Sequence, residues 1–258
     1  MFQHVKVGDS LLNDELKIYR GEDFIVSKYI KIHQPSLSEI CDYGEQEYYS
    51  MIYHLTATPQ TMKVQLWDME PRIDYTKITP YELFYNILYR LFPKEKTSII
   101  FGDLDFTKFQ TMQRSDNGDI LLCQSINDEP VIIDEFTYNL IMDYLRQVHG
   151  VYKDEKMPAN NTTKMILIED AREEFERNKN KEHHSQLVNL ISSMVNSEGF
   201  KYNHTQVWDM KINAFMDSVK RISKIKNAEL LLQSGYSGFG INLKEIDEKQ
   251  LDWLGELK

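Results

Sequence analysis

Residues 205 to 232 constrain the fold more than any other stretch. Trp208, Ile212, Phe215, Val219 and Ile222 recur at spacings of four, three, four and three. That places them on one stripe of a helix with about 3.6 residues per turn. Lys211, Lys220, Arg221, Lys224 and Lys226 fall mostly off the stripe. The spacing predicts one long amphipathic helix from Thr205 to Leu232, stopped by the run Gly235-Tyr236-Ser237-Gly238-Phe239-Gly240. Such a helix needs partners for its apolar side, so the rest of the chain must supply a core.

Read from the start, residues 1 to 33 suggest short antiparallel strands. Leu16-Lys17-Ile18-Tyr19 and Tyr29-Ile30-Lys31-Ile32 alternate, with a turn at Arg20 to Asp23 and Phe24-Ile25-Val26 between. Ser36 and Glu39 have the capping-box spacing, so a helix starts there. Thr79-Pro80-Tyr81-Glu82 is a second such start, with proline at the first helical position. Residues 98 to 133 read as strands: Ser98 to Phe101, Lys108 to Met112, Ile120 to Cys123 and Val131 to Ile133. Asn117-Gly118 is their hairpin signal, because both residues tolerate positive φ. Asp134 caps a helix to His149 whose apolar side is Phe136, Leu140, Ile141, Tyr144, Leu145 and Val148, and Gly150 ends it. Residues 151 to 163 are polar and form the best linker. The helix from Ile166 to Lys179 carries a solvated acidic face. The expected fold is α+β: mostly helical, with a small N-terminal antiparallel β unit and a β-hairpin insertion near 98–133. The expected division is an α+β domain at 1–155 and a helical domain at 156–258 whose C-terminal tail docks.

Two short stretches echo one another. Gln65-Leu66-Trp67-Asp68-Met69 matches Gln206-Val207-Trp208-Asp209-Met210 in four of five positions. A duplicated helical unit would explain the match. Either way Trp67 and Trp208 read as core anchors.

Composition narrows the function. The net charge of −10 opposes general nucleic-acid binding, which needs a positive footprint to release counterions. Fifteen Tyr and twelve Phe favour aromatic packing and aromatic anchors at an interface. Met1 to Lys6 lack the charged-then-apolar pattern of a secretory signal, and no apolar run is long enough to cross a membrane. Cys41 and Cys123 form no CxxC pair. Adjacent His183 and His184 do not share a helix face, and there is no HExxH. The nucleotide-binding and nucleophile-elbow glycine patterns are absent as well.

Two chemical alternatives remain. Asp103 and Asp105, read as extended chain after a strand, point the same way and could share a divalent metal in a transferase or nuclease. The basic side of helix 205–226 could serve a DNA-binding accessory protein, although the break at 196 to 205 is too long for a tight helix-turn-helix. Pairing of that basic side with the acidic residues at 169 to 176 is the preferred reading.

Ile30-Lys31-Ile32, Gln34-Pro35-Ser36-Leu37 and Glu39-Ile40, followed much later by Gln206-Val207-Trp208-Asp209-Met210 and Ala214-Phe215, resemble tail assembly chaperones of phages of Gram-positive hosts. The resemblance implies a small β unit, a Pro-Ser-Leu helix start and then mostly helix. It also implies a non-enzymatic virion assembly or structural protein without cofactor or metal, located in the host cytoplasm or incorporated in the virion. Its partners would be other virion or tail proteins, with self-association an option and nucleic acid and membrane not expected. It supplies interface expectations only, and the candidates are Trp208, Phe215, Tyr236, Phe239, Trp253 and Leu254.

Overall fold

The computed structural model describes residues 10–153, 156–179, 184–237 and 242–257. The fold is α+β and mostly helical, with a two-stranded antiparallel hairpin near the N-terminus and a three-stranded antiparallel sheet in the middle of the chain. Two compact units divide it: residues 1–22, 34–39 and 185–258 form one, and residues 23–33 and 40–184 the other. The expected division at 155 is drawn differently, since the helix that follows it, α8 (Asn161–Lys179), belongs with the residues before it.

The unit built on the middle of the chain begins with β1 (Phe24–Ile25) and β2 (Lys31–Ile32), in register Phe24 to Ile32. Helices α3 (Glu45–Leu55), α4 (Lys63–Asp68), α5 (Pro80–Asn86) and α6 (Lys94–Phe101) follow. Thr79 and Glu82 make the predicted reciprocal cap at the start of α5: the Glu82 N–H donates to Thr79 Oγ1 at 3.1 Å, and the Thr79 N–H donates to Glu82 Oε2 at 2.6 Å. The expectation of a strand at Ser98 to Phe101 is corrected, since these residues are the last turn of α6. Four residues ending in an apolar trio fit either period, and the choice falls to the turn before them, where Pro93 precedes Lys94-Glu95-Lys96.

The sheet is β3 (Gln110–Gln113), β4 (Ile120–Ile126) and β5 (Glu129–Ile133), ordered β3-β4-β5. At the β3–β4 turn only Gly118 adopts positive φ. The two-residue turn with both residues in that region is Asn127-Asp128, between paired Ile126 and Glu129. Asx residues tolerate the left-handed region well enough to make this hairpin without glycine.

Helix α7 (Glu135–His149) is capped by Asp134, whose Oδ1 accepts the Thr137 N–H at 2.9 Å, and it ends at left-handed Gly150. Its buried stripe runs through Tyr138, Ile141, Leu145 and Val148. Phe136, expected on that stripe, is 56% exposed, and Tyr138 takes the buried place. Around α7 the core is aromatic. The Phe106 ring meets Phe101 at 4.9 Å, Phe84 and Phe109 at 6.0 Å and Phe92 at 6.4 Å. Phe24 stacks on Tyr144 at 4.4 Å. Helix α8 is held on α4 by Arg172 on Asp68, and on the loop after α4 by Lys164, whose ammonium lies 2.8 Å from Asp74.

The other unit joins both ends of the chain. Leu16 to Tyr19 are helical, inside α1 (Ser10–Arg20), which corrects the strand expectation: only Ile18 of that run is buried, and one side of a helix serves it as well as one face of a strand. Residues 34–39 contribute the Ser36–Glu39 cap that opens α2 (Leu37–Tyr43). Then come α9 (Gln186–Val195), a single 3-10 turn at Gln206–Asp209 and α10 (Ile212–Tyr236). The single helix expected from 205 is therefore two pieces, broken where Met210 and Lys211 are extended. At its other end α10 passes through Gly235 to Tyr236. Among the described residues no helix is long and apolar enough to cross a membrane.

Candidate interaction surface

The two stretches that carry the phage resemblance lie far apart in sequence and pair in space. Ser36 forms an antiparallel bridge with Lys211. The Leu37 N–H donates to Met210 O and the Ile212 N–H to Pro35 O, each at 3.0 Å. These bonds hold Met210 and Lys211 extended and so explain why α10 starts only at Ile212. Buried Gln34 donates from Nε2 to Ile18 O at 2.8 Å, which ties α1 to the same junction. Lys211 reaches Glu39 at 3.5 Å.

The echoing segments also match in conformation. Each Gln-x-Trp-Asp is helical, and each following Met is extended, Met69 at φ −70°, ψ 155° and Met210 at φ −68°, ψ 134°. Leu66 and Val207, at the same place in the echo, are both buried. Trp67 and Trp208 are only partly buried, not full core anchors. Trp67 lies beneath the Arg72 guanidinium at 4.3 Å, a cation–π contact.

The interface candidates separate by exposure. Phe215 is fully buried and belongs to the core on which α10 rests. Trp208 is half-buried and faces the His204 ring at 6.3 Å. Phe239 lies outside the described residues. Tyr236 is 80% exposed at the end of α10, Trp253 is 47% exposed and Leu254 is 74% exposed.

Trp253 and Leu254 belong to a C-terminal segment that includes the short helix α11 (Glu248–Leu251) and is fastened to α10. Arg221 Nη1 donates to Trp253 O at 2.6 Å and to Gly255 O at 2.9 Å, and Lys224 Nζ donates to Glu256 O at 3.0 Å. Leu243 lies so close to Gly235 that any Cβ there would collide with its side chain. This close approach is the reason for a glycine inside a helix, where it otherwise costs about 1 kcal/mol relative to alanine. The tail thus docks through its own backbone and Leu243, while Trp253 and Leu254 stay outward. Sequence reasoning missed Arg221, Lys224 and Gly235 as anchors, and its one available signal was a glycine interrupting a helical pattern. Lys226 Nζ donates to Ser197 Oγ at 3.1 Å. Three cations of α10, Arg221, Lys224 and Lys226, therefore serve the C-terminal segment and the turn after α9.

Asp103 and Asp105 follow a helix rather than a strand and have separate tasks. Asp103 is exposed and lies 2.6 Å from Lys94, whose ammonium holds its carboxyl below the usual carboxylate range. Asp105 Oδ1 caps the next turn, accepting from Thr107 N–H at 3.0 Å and from Thr107 Oγ1 at 2.6 Å. Those bonds also lower its pKa. Among the described residues no three His, Cys, Asp or Glu side chains gather in a metal-holding arrangement. His183 lies outside the described residues, and the two thiols are free.

A family described as YomV second domain matches residues 178–258, a stretch that begins at the end of α8 and carries α9, α10 and the fastened C-terminal segment. No curated protein and no solved structure matches the chain.

Proposed function

We propose that this chain is a non-enzymatic assembly or structural protein of a tailed bacteriophage. It acts through protein–protein contacts, with tail assembly its step and other virion or tail proteins its partners in the host cytoplasm. One observation carries the reading: the C-terminal segment is anchored to α10 by backbone carbonyls while Trp253 and Leu254 are held outward. A tail packed for stability alone would turn those side chains in. Exposed tryptophan and leucine on a fastened backbone lose little conformational freedom on binding, which suits them as contact anchors. The pairing of the two phage-like stretches at Ser36 and Lys211 agrees with the resemblance. The alternatives fare less well, because Arg221 and Lys224 are spent on carbonyls of their own chain and Asp103 and Asp105 face different partners.

The test is affinity capture of the full chain from phage-producing cells, with light scattering on the purified protein. Trp253→Ala is expected to reduce recovery of a tail-tube or tape-measure partner while leaving the melting temperature in place. A melting temperature that falls with unchanged recovery would make Trp253 a packing residue and defeat the reading. A salt-sensitive shift of duplex DNA, or stoichiometric metal in the purified protein, would replace it with one of the alternatives.

A further inference from the structure

A cleft of about 670 Å³ opens between the N-terminal ends of α5 and α7 and the β3–β4 turn. It lies wholly within residues 79 to 139 and stands whether or not the C-terminal surface binds anything. Its size falls in the range of ligand-holding pockets, roughly 300 to 1,000 Å³. Tyr81 closes the floor, its hydroxyl proton shared between Ile133 O at 2.8 Å and Ile120 O at 3.1 Å. Tyr85 and the exposed ring of Phe136 supply aromatic walls.

The lining carries four carboxylates, on Glu82, Asp119, Asp134 and Glu135, against the single cation of Arg114. Glu82 and Asp134 each use one oxygen on their own helix cap, and Glu135 is exposed. Burial and the charges of Glu82 and Glu135 push the Tyr85 phenol up, so both carboxylates act on the same ring. An exposed phenylalanine face beside acidic groups attracts a cation twice, through the ring quadrupole and through charge. We propose that this cleft receives a lysine or arginine side chain on an extended basic segment of a partner protein.

The probe is a fluorescein-labelled octapeptide of alternating lysine and serine, titrated with the full chain and followed by anisotropy. Saturable binding is expected. Glu135→Lys should weaken it about tenfold, as loss of an interfacial charge pair does. Phe136→Ala should weaken it about fivefold. Glu229→Lys reverses an exposed charge on α10 and changes the net charge equally, so it should leave the affinity unchanged. Equal weakening by Glu135→Lys and Glu229→Lys would reduce the effect to attraction by overall charge and overturn the proposal. So would absence of saturation, equal binding of the lysine-acetylated peptide, or self-association that Phe136→Ala abolishes. Should Glu135→Lys fail to fold, Phe136→Ala and the acetylated peptide decide the matter.

Discussion

Helices α7 and α10 were both foreseen as amphipathic, and they do opposite work. The first has fifteen residues, seven of them buried; the second has twenty-five, with three buried. One is the spine of a core filled with phenylalanine and tyrosine. The other is a rod that receives chain termini along its length, Ile18 on Asn213 near one end and the carbonyls of Trp253 and Gly255 on Arg221 further on. Periodicity predicts only that a helix has an apolar side. The share of the helix that becomes buried depends on what the rest of the chain brings to it. A helix with sparse burial relies on polar fastenings and keeps area for partners.

The largest expected effect breaks the aromatic side of this contrast. Phe106→Ala empties the centre of a five-ring cluster and should cost about 3 to 5 kcal/mol in denaturant unfolding. Amide exchange should quicken along α7 and hold steady along α10. Equal quickening in both helices would show that the two do not differ in what supports them.

A smaller effect is set by pH. His149, at the end of α7, accepts the Tyr48 hydroxyl proton at Nε2 at 2.6 Å and donates from Nδ1 to Leu145 O at 2.7 Å, an arrangement that requires the neutral ring. Burial holds its pKa down at about 4. The unfolded chain binds this proton near pH 6.5 and the folded chain only near pH 4. Its contribution to stability is therefore complete above pH 6.5 and is lost as pH falls from there toward 4, on the order of 2 to 3 kcal/mol. His149→Gln should flatten the pH dependence in that window, and an unaltered slope would assign the loss to carboxylates.

The smallest effect sharpens the α10 side. Arg221→Ala removes two hydrogen bonds to an exposed segment and should change global stability by less than about 1 kcal/mol. Exchange at residues 252 to 256 should nonetheless rise severalfold. A large global loss would mean that the tail is integral to the core of its unit.

The local signals were legible because their physics is local. The caps at Ser36, Thr79 and Asp134 and the stop at Gly150 each involve a few consecutive residues, and each forms as the sequence predicts. Readings failed where four or five residues had to decide a period, as at Leu16 to Tyr19 and Ser98 to Phe101, or where a distant strand intervened. Met210 and Lys211 would continue the helix by spacing alone. The bonds of Met210 to Leu37 and of Ile212 to Pro35 on either side draw them out of it, and no window around residue 210 contains that information.

By itself, the sequence determined the class of the fold, the capped helix starts at Ser36, Thr79 and Asp134 and the presence of strands between 110 and 133, since propensity, capping and apolar spacing act within a few turns. Tertiary structure alone decided that Phe215 is core while Trp253 and Leu254 face outward, that Asp103 and Asp105 serve separate partners, and that Phe136 stands at the mouth of an acidic cleft. Exposure and convergence are relations between residues far apart in the chain, and only packing sets them.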